Sequence, residues 1–141
     1  DTRIGAIIPH TLLTLPFSLW LLTSFFDAIP RELDEAAYMD GASHLTVFGR
    51  IVLPLAAPGV LSIGLLAFMV SWSEYLFSSV ILTGRDNKTL PVGIAEFVTG
   101  FDVRWGEIMA LGVVTTVPII AFFALVQKYF VAGIMGSGLK G

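Results

Sequence analysis

Three stretches almost free of charge, each long enough to cross a lipid bilayer, constrain this chain more than any other feature. Between Arg3 and Asp27 lie 23 residues without Asp, Glu, Lys or Arg, and between Glu107 and Lys128 lie 20 more. Between Arg50 and Arg85 only Glu74 interrupts the apolar run. A helix needs about 20 mostly apolar residues at ~1.5 Å each to cross the hydrocarbon core, and each block reaches that length. Lipid offers no partner to the backbone groups of an open strand, so the spans must be helices. The expected fold class is all-α, a polytopic membrane protein with spans over about 4–26, 55–82 and 108–127. A soluble all-α core is the competing reading, and buried core helices rarely run this long without charge.

Composition agrees: 55% of the residues are hydrophobic, 13% are charged and the mean hydropathy is +0.84, too apolar for an ordinary water-soluble domain. The net charge of −3 argues against a nucleic-acid partner. With no cysteine, the chain has no disulfide, cysteine-ligated zinc or thiol nucleophile, and its redox compartment stays open. The first block is no signal peptide, since it follows Asp1 rather than a basic region and holds Pro9 and Pro16. The sequence also begins without methionine, and it reads as the C-terminal part of a longer polytopic protein.

Polar punctuation separates the spans. Pro16 is expected to kink the first by removing a backbone donor, and Pro118 lies near the middle of the third. The 83–107 segment holds a turn at Gly84-Arg85-Asp86-Asn87 and a short helix over Leu90–Thr99, and a glycine-rich tail, Gly133–Gly141, closes the chain. With three spans, the 27–50 loop shares a side with the tail. Lysine and arginine divide four against four between the two sides, so charge bias does not orient the chain.

The 27–50 loop has a clear local grammar. Pro30 suits the first turn of a helix, Glu32, Asp34 and Glu35 place negative charge at its positive end, and Gly41 can adopt the left-handed conformation that ends it. Ser43 can cap a second short helix, His44–Arg50, before Pro54 redirects the chain into the membrane. A helix of about ten residues is marginal in water, so it must pack against something. Ala36 and Ala37 allow close approach, Leu33 and Met39 offer apolar contact, and Glu35 and Asp40 can accept bonds from a basic partner. Lying on lipid headgroups is the alternative. The five acids from Asp27 to Asp40, against Arg31 alone, disfavour an anionic surface.

Spelled out, this loop is Glu35-Ala36-Ala37, three residues, Gly41, nine residues, Ile51, one residue and Leu53-Pro54. It resembles the EAA loop of the permease subunits of ATP-driven (ABC-type) importers. The likeness continues through Leu15-Pro16-Phe17, Trp20-Leu21-Leu22, Trp72-Ser73-Glu74-Tyr75, Leu90-Pro91-Val92-Gly93, Trp105-Gly106 and Gln127-Lys128-Tyr129-Phe130-Val131. These segments look like the maltose-type carbohydrate-uptake permeases, with Ser73 and Tyr75 departing from a Trp-Asn-Glu-Phe stretch. The resemblance implies a six-span permease domain of which these are the C-terminal three, in a prokaryotic inner membrane, with the EAA loop and C-terminus cytoplasmic. It also implies that the loop is a coupling helix entering a cleft of a partner ATPase, with Glu35, Ala36, Ala37, Asp40 and Gly41 as docking residues. Implied partners are a pair of ATP-binding subunits carrying ATP and magnesium, a second permease subunit, an extracytoplasmic solute-binding protein and a sugar. No cofactor is expected on this chain and no catalysis within it.

Glu74 is the one acid inside an expected span, where a charge costs about 2.5–3.5 kcal/mol on insertion scales. Two roles stay open: lining the pathway or a gate with Trp72 and Tyr75, or lying near the outer interface in an aromatic belt. The aromatic side chains could stack on a sugar or pack against helices. His10 reads as a helix-to-helix hydrogen-bond partner and His44 as a loop residue, solvated or in contact with a partner. Gly136-Ser-Gly138-Leu-Lys-Gly141 fits a dinucleotide-binding string but follows a span rather than a strand, and Asn87-Lys88-Thr89 is a formal sequon taken as accidental. An importer of another solute, a non-transporting scaffold subunit and an intramembrane enzyme are the alternatives in function.

Overall fold

The computed structural model describes residues 2–98 and 102–138, without the side chains of 85 and 128–138. The described chain is helical, and its one β feature is an antiparallel bridge between Val98 and Val103. The elements run α1 (Arg3–Asp27), α2 (Arg31–Met39), α3 (His44–Val47), a π-helical turn (Phe48–Val52), α4 (Leu53–Trp72), α5 (Leu76–Ile81), a 3₁₀ turn (Arg85–Asn87), α6 (Leu90–Ala95) and α7 (Trp105–Gly138). Among the described residues three helical stretches are long and apolar enough to cross a membrane: Arg3–Asp27, His44–Trp72 and Trp105–Gln127. Their surfaces are bare: Ile4, Leu12, Trp20, Val113 and Leu125 are each more than half exposed. So large an apolar surface cannot face water; lipid or further protein must cover it.

The outer two stretches match expectation and the middle one does not. Pro54 does not redirect the chain, because helix runs from His44 to Trp72 without a break. The π turn is the reason: the Leu53 amide reaches back five residues to the Phe48 carbonyl, and the widened turn absorbs the proline that follows. The helix expected over His44–Arg50 is therefore the head of a membrane helix. The span expected over 55–82 also breaks, at residues 73–75, into α4 and α5. At the C-terminal end α7 continues through Gly133 to Gly138, where a glycine-rich tail was expected; residues 139–141 lie outside the description. The helix expected over Leu90–Thr99 closes at Ala95, and Thr99 is likewise not described.

The chain divides into two compact units, Asp1–Pro16 with Ala67–Leu125, and Phe17–Leu66 with Val126–Gly141. In the first unit α4 packs on α7 through aromatic rings: Phe68 stacks on Trp72 at 5.4 Å and meets Phe122 at 5.1 Å. The Trp72 indole Nε1–H donates to the Thr115 carbonyl at 3.1 Å, which satisfies its polar edge within the packing. Hydroxyls on the helices bond to carbonyls of their own backbone, as Thr14 to His10 and Thr115 to Leu111 do, so they need no water.

In the second unit α1 and α4 touch at Gly59. A Cβ there would lie 2.3 Å from Phe25 Cδ1, so only glycine lets the two helices approach this closely. Gly64, one turn further on, has open space around it. Gly59→Ala is expected to destabilise the full-length permease by about 1–3 kcal/mol through overpacking, while Gly64→Ala is neutral. Thermal unfolding in detergent measures both, and an unchanged midpoint for Gly59→Ala would contradict the contact.

Candidate functional site

The loop between α1 and α4 folds as a rigid corner. α2 follows Pro30, carries Glu32 and Asp34 in its first turn and ends in a Schellman motif. There the Gly41 amide bonds to the Tyr38 carbonyl and the Ala42 amide to the Ala37 carbonyl, both at 3.0 Å. Gly41 has φ +80°, the one positive value among the described residues, so the motif depends on a residue without a Cβ. Two residues on, the Ser43 hydroxyl caps α3 by accepting from the Thr46 amide at 3.3 Å. Across the corner the Tyr38 hydroxyl meets His44 Nδ1 at 2.9 Å, with the rings edge to face. His44 is thus held by the loop itself. Val47, 1% exposed, and Ala37 lie buried beneath the corner.

The outer face is the complement of that interior. Glu35, Ala36, Asp40 and Gly41 are exposed, as a docking face requires, whereas Ala37 is turned inward and supports the face from below. Met39 at 88% and Leu45 at 85% are among the most exposed large apolar side chains, on either side of Gly41. Leu45 escapes sequence reading because it precedes a stretch that reads as membrane entry. Beside α2, Phe26, Asp27, Ile29, Arg31, Asp34 and Val52 line a recess of about 450 Å³. Asp34 Oδ1 is buried there with no hydrogen-bond partner, an acceptor still waiting for a donor.

The second constellation is the break at residues 73–75. Glu74 is buried, 9% exposed. Its carboxylate caps α5, accepting from the Phe77 amide at 2.7 Å and from the Ser78 amide and hydroxyl at 3.0 and 2.8 Å. Those donors are the orphan amides that any helix start leaves over. His10 Nε2 stands 3.9 Å from the same carboxylate. His10 Nδ1 bonds within its own helix, to the Ala6 carbonyl at 2.7 Å, and not across to another. Trp72 is committed to packing and Tyr75 is about half exposed, so the three expected pathway residues do not share a site. Ser78 was missed; its position four residues after Glu74 is the signal.

The matches to known proteins agree with this layout. Residues 1–136 match the family described as the binding-protein-dependent transport system inner membrane component. This chain belongs to that permease family. It is 43% identical to the trehalose/maltose transport system permease protein MalG of Thermococcus litoralis, over all of this chain and 51% of that protein. It is 40% identical to the inner membrane ABC transporter permease protein YcjP of Escherichia coli, over all of this chain and 50% of that one. With the trehalose transport system permease protein SugB of Mycobacterium tuberculosis the identity is 36%, again over the whole chain and 52% of the relative. The chain spans about half the length of these relatives.

Glu74 caps the start of α5. Glu74→Ala is expected to cost about 1–3 kcal/mol by leaving buried amides unpaired, and Glu74→Gln, which keeps one acceptor, less. Thermal unfolding of the two full-length variants in detergent checks the order; a wild-type midpoint for Glu74→Ala would remove the capping role.

Proposed function

We propose that this chain is part of the membrane-spanning permease subunit of an ATP-driven, binding-protein-dependent carbohydrate importer. The observation that carries the reading is the exposed corner at Glu35, Ala36, Met39, Asp40 and Leu45, held on a Schellman turn and joined through continuous helix to an apolar α4. A short helix this exposed has apolar and acidic groups to offer and little interior of its own, which suits seating in the cleft of another subunit. The names of MalG and SugB, for trehalose or maltose transport, support a sugar as the solute.

The mechanism is alternating access. ATP and magnesium bind to the paired ATPase subunits, which hydrolyse the nucleotide; their clefts close and carry α2 with them. Because helix runs on from His44 into α4, displacement of α2 enters the membrane segment directly. Gly41 sets the angle between α2 and α3 and serves as the pivot. The corner and the C-terminus face the cytoplasm, a second permease subunit completes the pathway, and an extracytoplasmic binding protein delivers the sugar.

Gly41→Asp tests this reading. A side chain at φ +80° costs about 1–2 kcal/mol locally and misaims the corner, while the membrane helices are untouched. The expected outcome is normal membrane insertion with uptake of labelled maltose or trehalose abolished in cells carrying the full-length variant. Wild-type uptake by Gly41→Asp would overturn the docking role.

A further inference from the structure

Within the first unit, α1, the end of α4 and the segment after α5 enclose a recess of about 580 Å³. Its wall is unusual for a membrane helix: Thr11 and Thr14 of α1, Ser71 of α4, and Asn87 and Thr89 all contribute, together with His10. The Thr11 and Thr14 hydroxyls are met by their own backbone, so it is their gathering with His10, Ser71, Asn87 and Thr89 around one recess that marks this side of α1 as facing solute or water.

The donors and acceptors define what fits. The Ala6 carbonyl can only accept, so His10 Nδ1 donates to it and is not available to a ligand. Thr11 and Thr14 spend their hydroxyl protons on the carbonyls of Ile7 and His10, at 2.8 and 2.9 Å, which leaves lone pairs free. Thr89 Oγ1 is buried without any partner and can give or take a bond. The inner wall is therefore rich in acceptors and asks for hydroxyl donors.

Charged ligands are poorly served. An anion would meet the lone pairs of the threonines, and the Glu74 carboxylate lies 3.9 Å from His10 Nε2. A cation gains little from that carboxylate, whose charge is already met by the Phe77 and Ser78 donors. At the rim Arg3 is tied through Nε to Asn87 Oδ1 at 3.2 Å, and Lys88 is paired with Glu96. Asp86 lines the recess beside them, so the charges at the rim are of both signs and favour neither an anion nor a cation. A neutral molecule with several hydroxyls satisfies the wall without a charge to desolvate.

We infer that this recess is a subsite for a neutral polyhydroxylated solute, with Thr14, Ser71 and Thr89 as its recognition groups and His10 beside them. The inference rests on the carbohydrate reading above and adds to it the residues on this subunit that touch the solute. It also moves the contact from Glu74, Trp72 and Tyr75 to the polar face of α1.

Thiol accessibility in the full-length permease, assembled with its partner subunits in proteoliposomes, tests it. Thr14→Cys and Ser71→Cys are placed singly in a cysteine-free background and treated with the neutral reagent hydroxyethyl methanethiosulfonate. Uptake of a panel of labelled neutral mono- and disaccharides, maltose and trehalose included, selects the sugar used as protectant. Thiolate is the reactive species, so a thiol in a watered recess reacts and one sealed in protein does not. Both variants are expected to react, and the transported sugar at ten times its dissociation constant is expected to slow the reaction about tenfold by occupancy. Failure of both to react would show the recess filled by protein, and reaction undiminished by the sugar would show water without recognition; either overturns the subsite. A wild-type complex that takes up none of the sugars overturns the carbohydrate reading instead.

Discussion

In apolar surroundings every backbone amide must find its partner within the chain, and this permease departs from continuous helix only where it can supply one. Two interruptions show how. At Gly41 the Schellman turn returns the amides of Gly41 and Ala42 to the carbonyls of Tyr38 and Ala37. At residues 73–75 the Glu74 carboxylate takes up the Phe77 and Ser78 amides that the new helix leaves over. Proline alone does not interrupt the helix, which runs through Pro9 and Pro16 in α1, Pro58 in α4 and Pro118 in α7.

Each device creates a surface with a use. The Gly41 corner turns Met39, Leu45, Glu35 and Asp40 outward and buries Ala37 and Val47, so the chain presents a firm exposed knob. The Glu74 cap ends α4 beside His10 and frees Ser71 to face the polar side of α1. The Glu74 carboxylate thus has a structural use, and its neighbours His10 and Ser71 line the recess of the first unit.

Long-range pattern was legible in the sequence and local geometry only in part. Charge-free length identified α1 and the Trp105–Gln127 stretch of α7 closely, though not the continuation of α7 to Gly138, because solvent exclusion acts on whole stretches. The α2 helix, its glycine stop and the Ser43 cap were legible for a different reason: each depends on a side chain acting within four residues. Pro54 misled, since a π turn that accommodates a proline has no marker in the residues themselves. The capping role of Glu74 was not legible because its partners, the Phe77 and Ser78 amides, are backbone groups that any sequence would possess. Of the docking residues, Ala37 is inward because the helical period places it opposite the exposed Glu35 and Met39, which the motif alone does not reveal.

The central claim is that the Gly41 corner seats this permease on an ATPase in a multi-subunit importer. Its most direct test is affinity purification of the natively expressed full-length protein from its own membranes, with mass spectrometry of what accompanies it. The account predicts recovery of an ATP-binding subunit, a second permease bearing the same loop and a solute-binding protein whose ligand is a sugar. Recovery of the protein alone, in a detergent shown to keep such complexes intact, would contradict it.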